Sequence, residues 1–147
     1  MVKVDTVLAR LEALNQYLSE LEKFCSLSRA EFLGDLRNYR TVERCFQLAA
    51  QAAIDIASHI VAADFSHRPE GYRQVIEILG EVGVLPQDLA ERFAGVAGLR
   101  NILIHEYLSV NLDIVYDHLQ KDLDDFYQFS HHIVHYLRQR GALGGSP

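Results

Sequence analysis

The chain reads as an all-α protein, an antiparallel bundle of four to five helices. Apolar residues recur at three- and four-residue steps over long windows, and no stretch sustains apolar/polar alternation. The prolines are confined to positions 69, 86 and 147, so they leave those windows intact.

The first helix rests on Val4, Val7, Leu11, Leu14, Leu18, Leu21 and Cys25, which step by three and four in turn. That narrow heptad seam suits packing along one or two long partners. Ser28 with Glu31 forms a capping box that opens a second helix, with Gly34 and Asn38 bending its first turns. Its body is expected from about Tyr39 to Ala63, with Phe46, Ala49, Ala53, Ile56 and Ile60 as the buried stripe. A loop from Asp64 to Gly71 leads to a short helix from Tyr72 to Gly83. Pro86 suits the first position of a fourth helix that runs through Arg100, and Gly95 and Gly98 within it are read as points of close approach by another helix. Asn111 is a fitting N-cap for a last helix from Leu112 to about Arg138, with Leu112, Val115, Leu119, Leu123, Phe126, Ile133 and Leu137 inward. Residues 1–140 are read as one domain and 141–147, GALGGSP, as a flexible C-terminal tail.

The 147 residues are 49% hydrophobic and 23% charged, enough for one domain with a real core. Cys25 and Cys45 lie in helical patterns without CxxC spacing, and the N-terminus lacks a signal-peptide core, so a reduced, cytoplasmic chain is expected. Purely apolar runs fall far short of the roughly 20 residues that cross a bilayer, so no membrane association is expected. The formal net charge of −6 weighs against broad phosphate binding. Even so, Arg37, Arg40 and Arg44 share a helix face by their spacing and are candidates for contacting RNA. A solvated face paired with residues such as Glu43 is the other reading of that stripe.

The segment RNILIHEY concentrates the chemistry. Arg100 and His105 are five apart, which on one helix separates them by about 7.5 Å along the axis and about 140° around it. Asn101 and His105, four apart, share a face. Imidazole exchanges protons in both directions near neutrality, and guanidinium offers a planar fork to phosphate oxygens. In RNA the 2′-hydroxyl can attack its own phosphate given a base, an acid and a cation, with no metal required. A lone histidine beside an apolar run is ordinarily a hydrogen-bonded structural residue, so spacing alone does not carry catalysis.

The run VLPQDLAERFAGVAGLRNILIHEY, Val84 to Tyr107, resembles the motif region of the HepT-like branch of the HEPN superfamily. That pattern is Arg-Asn, three residues, His, one residue, Tyr, and every position is matched. The wider chain, roughly residues 2 to 138, is similar in helix order, including RTVERCFQLAAQAAIDIASHI. The resemblance implies a homodimeric HEPN bundle that brings two motifs into one cleft and cleaves RNA without a metal. It implies His105 as acid and base, Arg100 as phosphate and transition-state ligand, and Asn101 as a supporting polar contact. It further implies a toxin of a type VII-like toxin–antitoxin pair, silenced when an MntA-like minimal nucleotidyltransferase transfers AMP from ATP to Tyr107. ATP would then serve the partner, and the chain itself would carry no cofactor. The alternative within the same superfamily is a non-catalytic module that binds a nucleotide or substrate for a nucleotidyltransferase.

Two other groups stand out. Asp55 and His59, four apart, read either as an ordinary helix pair or, for Asp55, as a carboxylate orienting the motif. His131, His132 and His135 have spacings that could ligate zinc, but no third and fourth ligands are evident, so a solvated face is expected and no metal is assigned.

Overall fold

The computed structural model describes residues 2–105 and 110–140. Through them run eight α-helices: α1 (Val4–Glu22), α2 (Arg29–Gly34), α3 (Leu36–Ile60), α4 (Tyr72–Glu81), α5 (Gln87–Phe93), α6 (Val96–His105), α7 (Leu112–Lys121) and α8 (Leu123–Gln139). A π-helical turn, Val61–Phe65, extends α3, and no strand occurs among the described residues. These follow the five expected helices, three of which are broken.

Two of the three breaks have a plain local cause. Between α2 and α3, Asp35 is extended, and its carboxylate accepts the amide of Arg37 while Asn38 donates to the carbonyl of Glu31. Two short polar side chains thus fill the open ends that a continuous helix would not have. The expected fourth helix divides at Ala94–Gly95, where the backbone tightens to i→i−3 bonds, from Gly95 to Arg92 and from Gly98 to Gly95. Beyond that turn α6 continues past Arg100 to His105. The last helix breaks at Asp122, whose carboxylate is bonded to Nδ1 of His118.

The local signals that were legible in the sequence are formed. The capping box of Ser28 and Glu31 is complete, and Asn111 accepts from the amides of Asp113 and Ile114. Helix α4 ends in a Schellman arrangement: the amide of Val84 reaches the carbonyl of Leu79, with Gly83 at φ 85°.

Helix α3 is the central rod, touching α1, α2, α4, α6 and α7. Helix α1 runs antiparallel to it: the Lys3 amide donates to His59, and Arg10 pairs with Asp55 further along. Val7, Leu11, Leu14, Leu18 and Leu21 of the α1 seam are all buried. Truncating one of these leucines to alanine would cost about 2–5 kcal/mol. Phe93 of α5 stacks on Phe129 of α8 at 4.8 Å and meets Phe126 edge-on at 5.0 Å, which fixes the segment leading into α6. With its π turn, α3 is 30 residues long and apolar enough to span a bilayer by length and composition. Much of its apolar surface, including Phe46, Ile54, Ile56 and Ile60, is instead fully buried within the bundle.

Candidate active site

Helix α6 presents the site because its two faces differ. Val96, Ala97, Leu99 and Leu103 are buried, whereas Gly98, Asn101, Ile102 and His105 form the outward stripe. Asn101 and His105 therefore share the exposed face that their spacing requires. Gly95 and Gly98 are also exposed, and a Cβ placed on Gly98 would meet nothing within 4 Å. The expected close approach of another helix at these glycines does not occur among the described residues.

Arg100 sits at the edge between the two faces. Its Nε donates to Oε1 of Gln51 on α3 at 2.8 Å, and its Nη1 donates to Oδ1 of Asn101 at 3.1 Å. The guanidinium lies over the ring of Tyr72, the first residue of α4, with 4.9 Å to the ring centroid. The long side chain thus offsets part of the rotation that separates Arg100 from the Asn101–His105 face. Among the described residues its hydrogen bonds go to Gln51 and Asn101, and none goes to His105.

Asp55 joins this arrangement through Gln51. Nε2 of Gln51 donates to Oδ1 of Asp55 at 2.8 Å, and Nη1 of Arg10 donates to Oδ2 at 3.0 Å. A polar chain therefore runs from α1 through α3 to α6: Arg10, Asp55, Gln51, Arg100, Asn101. Asp55 and His59 do not pair; His59 accepts the Lys3 amide instead. Gln51, Tyr72 and Arg10 were not singled out by sequence reasoning. Gln51 had a weak signal, four residues before Asp55 on one helix; Tyr72 and Arg10 had none.

Arg37 forms an exposed ion pair with Asp35 at 3.2 Å, Arg40 pairs at 3.3 Å with Glu43, whose side chain is largely buried, and Arg44 is exposed. The exposed Arg37–Asp35 pair is readily exchanged for solvent or a phosphate. Gln51 lies seven residues after Arg44 and eleven after Arg40, so helical geometry sets all three within about 20° of one line on α3. Burial pushes the Glu43 carboxyl upward, against the lowering effect of Arg40.

Tyr107 lies outside the described residues, as does the tail 141–147. His131 and His132 meet edge to face at 5.5 Å, while His132 and His135 line a cleft of about 500 Å³ beside the α4–α5 turn. Burial depresses the His132 pKa, with His131 and His135 adding to the effect. Among the described residues no three His, Cys, Asp or Glu side chains converge on a point that could hold a metal. Cys25 and Cys45 are free thiols whose pKa values burial pushes up.

The described residues thus form an all-helical bundle that displays an arginine and a histidine from one short helix, and similarity to a solved HEPN toxin places such a chain in the HEPN class. The family model described as Ribonuclease HepT-like matches residues 14–133. The tRNA nuclease HepT of Aphanizomenon flos-aquae is 32% identical over 139 residues, covering 93% of this chain and 95% of that protein. The mRNA nuclease HepT of Shewanella oneidensis is 28% identical over 125 residues, covering 85% and 93%. Among solved structures, the tri-AMPylated Shewanella oneidensis HEPN toxin in complex with its MNT antitoxin superposes with a TM-score of 0.80 at 27% identity, covering 89% of this chain and 98% of that one. The chain belongs to the HepT-like family of HEPN endoribonucleases.

Proposed function

We propose that this chain is the toxin of a toxin–antitoxin pair and cleaves RNA through Arg100 and His105, with Asn101 in support. The observation that carries the reading is the placement of a tethered guanidinium beside the exposed Asn101–His105 face of α6. In the proposed reaction His105 takes the proton of a 2′-hydroxyl as that oxygen attacks the adjacent phosphorus. Arg100 stabilises the charge that builds on the phosphate oxygens, and an imidazolium returns a proton to the departing 5′-oxygen. These steps need no metal from the chain.

A second copy supplies the second imidazole in this reading. Support comes from the outward face of α6, where Gly95, Gly98 and the half-exposed Ile102 leave a low, partly apolar surface for a twofold contact. Arg37, Arg40 and Arg44 give RNA a path along α3 toward Gln51 and Arg100. Silencing by a nucleotidyltransferase of the MntA type is part of this reading, supported by the relative found tri-AMPylated in complex with an MNT antitoxin. The Tyr107 hydroxyl oxygen would attack the α-phosphorus of ATP, lose its proton and release pyrophosphate. The phosphate and base left on Tyr107 would occupy the RNA site.

The test is RNA cleavage by the purified protein with excess chelator present. The parent is expected to cut and His105→Ala to be inactive. Equal cleavage by both would leave the non-catalytic binding module as the better reading. Mixing Arg100→Ala with His105→Ala subunits should recover activity if the cleft is shared, whereas a monomer in solution would remove that premise. Incubation with the partner and ATP should add AMP masses that Tyr107→Phe abolishes.

A further inference from the structure

We propose that Gln51 and Tyr72 are the positioning residues of Arg100, and that Gln51 acts by fixing the guanidinium without neutralising it. The inference rests on the ribonuclease reading above. Arg100 can be held in its plane and on its face, and the structure provides a partner for each from outside α6. Gln51 takes the Nε–H at 2.8 Å in the plane, and the Tyr72 ring lies against the face at 4.9 Å. The terminal edge of the guanidinium is thereby directed toward Asn101 on the exposed side of α6, where a phosphate would dock.

An amide at position 51 is what this role requires. A carboxylate there would hold Nε as firmly but cancel the charge that a phosphate must meet. The nearest carboxylate, Asp55, is one hydrogen bond further back and already shared between Gln51 and Arg10. Asp55 in turn sets the direction of the amide. A carboxylate accepts only, so Nε2 must face Asp55 and Oε1 must face Arg100. Arg10 balances Asp55, and the chain of groups ends with the Arg100 charge uncompensated. Tyr72, 40% exposed at the start of α4, limits rotation of the side chain from the open side.

Steady-state cleavage by the full-length protein tests this, with circular dichroism as the check on folding. Gln51→Ala should lower kcat on the order of 100-fold, the scale expected when a transition-state ligand drifts by about 1 Å, with a much smaller change in KM. Tyr72→Ala should lower kcat as well, and Tyr72→Phe, which keeps the ring face, should restore it. Gln51→Glu separates positioning from packing. The groups facing position 51 are Arg100 from α6, Asp55 on α3, Arg10 from α1 behind Asp55, and Tyr72 from α4 over Arg100. Ionised, the introduced carboxylate would oppose Asp55 and neutralise Arg100; protonated, it would donate to Asp55 and accept from Arg100 as glutamine does. Activity of Gln51→Glu relative to the parent should therefore be low at neutral pH and rise as pH falls.

In ¹⁵N spectra the Nε–H signal of Arg100 should shift in Gln51→Ala, before any substrate is added. A Gln51→Ala protein with parental kcat, or a Gln51→Glu to parent ratio flat with pH, would overturn the proposal while an inactive His105→Ala left the ribonuclease reading standing. Cleavage by His105→Ala equal to that of the parent would remove both.

Discussion

The hydroxyl of Tyr136 donates to Oδ2 of Asp64 at 2.5 Å, and Oδ1 of the same carboxylate accepts the Val2 amide at 2.9 Å. The Asp64 side chain is 1% exposed, so this bond ties α8 and the start of the chain to the end of α3. Burial, reinforced by Asp64, pushes the Tyr136 pKa up to about 12, and burial with a Glu22 bond does the same for Tyr127.

Tyr136→Phe should lower unfolding stability by about 1.5–3 kcal/mol, the scale of a hydrogen bond made to a charged group. Cleavage should be unaffected, because the bond lies away from α6. Urea unfolding and the cleavage assay read the two effects separately. Both tyrosines are protonated in the folded state to higher pH than when unfolded, so their contribution is complete below the ordinary value of 10.0 and is lost as pH rises toward about 12. A phenolate absorbance titration should show Tyr127 and Tyr136 ionising late.

The junction of α7 and α8 should respond to pH in the physiological range. The bond to Asp122 raises the His118 pKa, and partial burial opposes it only in part. A raised histidine adds stability that is complete below its ordinary value of 6.5 and disappears as pH climbs through the folded value. The gap in thermal midpoint between the parent and His118→Gln should thus be widest below pH 6.5 and narrow as pH rises above it. A constant gap would contradict the assignment.

Gly80→Ala should destabilise the α4–α5 hairpin. The added Cβ would stand 2.6 Å from Cβ of Ala90 and 3.0 Å from Oε1 of Gln87. Overpacking of this kind typically costs about 1–3 kcal/mol. Since the closest atom belongs to Ala90, the double variant Gly80→Ala with Ala90→Gly should recover more than additivity allows, and a double-mutant cycle measures the difference.

For RNA binding, Arg44→Gln should weaken affinity across sequences and flatten the dependence of log K on log salt by about 0.7, the value for one phosphate contact on a single strand. Filter binding by an inactive His105→Ala background at several salt concentrations is the measurement. An unchanged slope would assign Arg44 to the solvated face and leave the RNA path elsewhere.

What could be read in the sequence was what the chain encodes within a few residues. The α1 seam, the Ser28–Glu31 box and the Asn111 cap depend on neighbours three or four positions away, and each appears as expected. Arg100 and Asn101 were legible as chemistry, but their surroundings were not. Gln51 is separated from Arg100 by 49 positions and becomes its partner only because Leu99 and Leu103 seat α6 against α3. No local pattern marks such a pair. The break at Asp122 was also missed, since neither glycine nor proline stands there and the His118–Asp122 bond has the spacing of an uninterrupted helix.

The turn at Ala94–Gly95 has one more consequence. It ends the hydrogen-bond ladder of α5 before α6 begins, leaving the ten residues of α6 as a cassette clipped onto the scaffold by Val96, Ala97, Leu99 and Leu103. Selection can rewrite outward positions of such a cassette other than Asn101 and His105, such as Gly98 and Ile102, without renegotiating the scaffold beneath. Descendants that part ways in what they attack can therefore keep the same architecture.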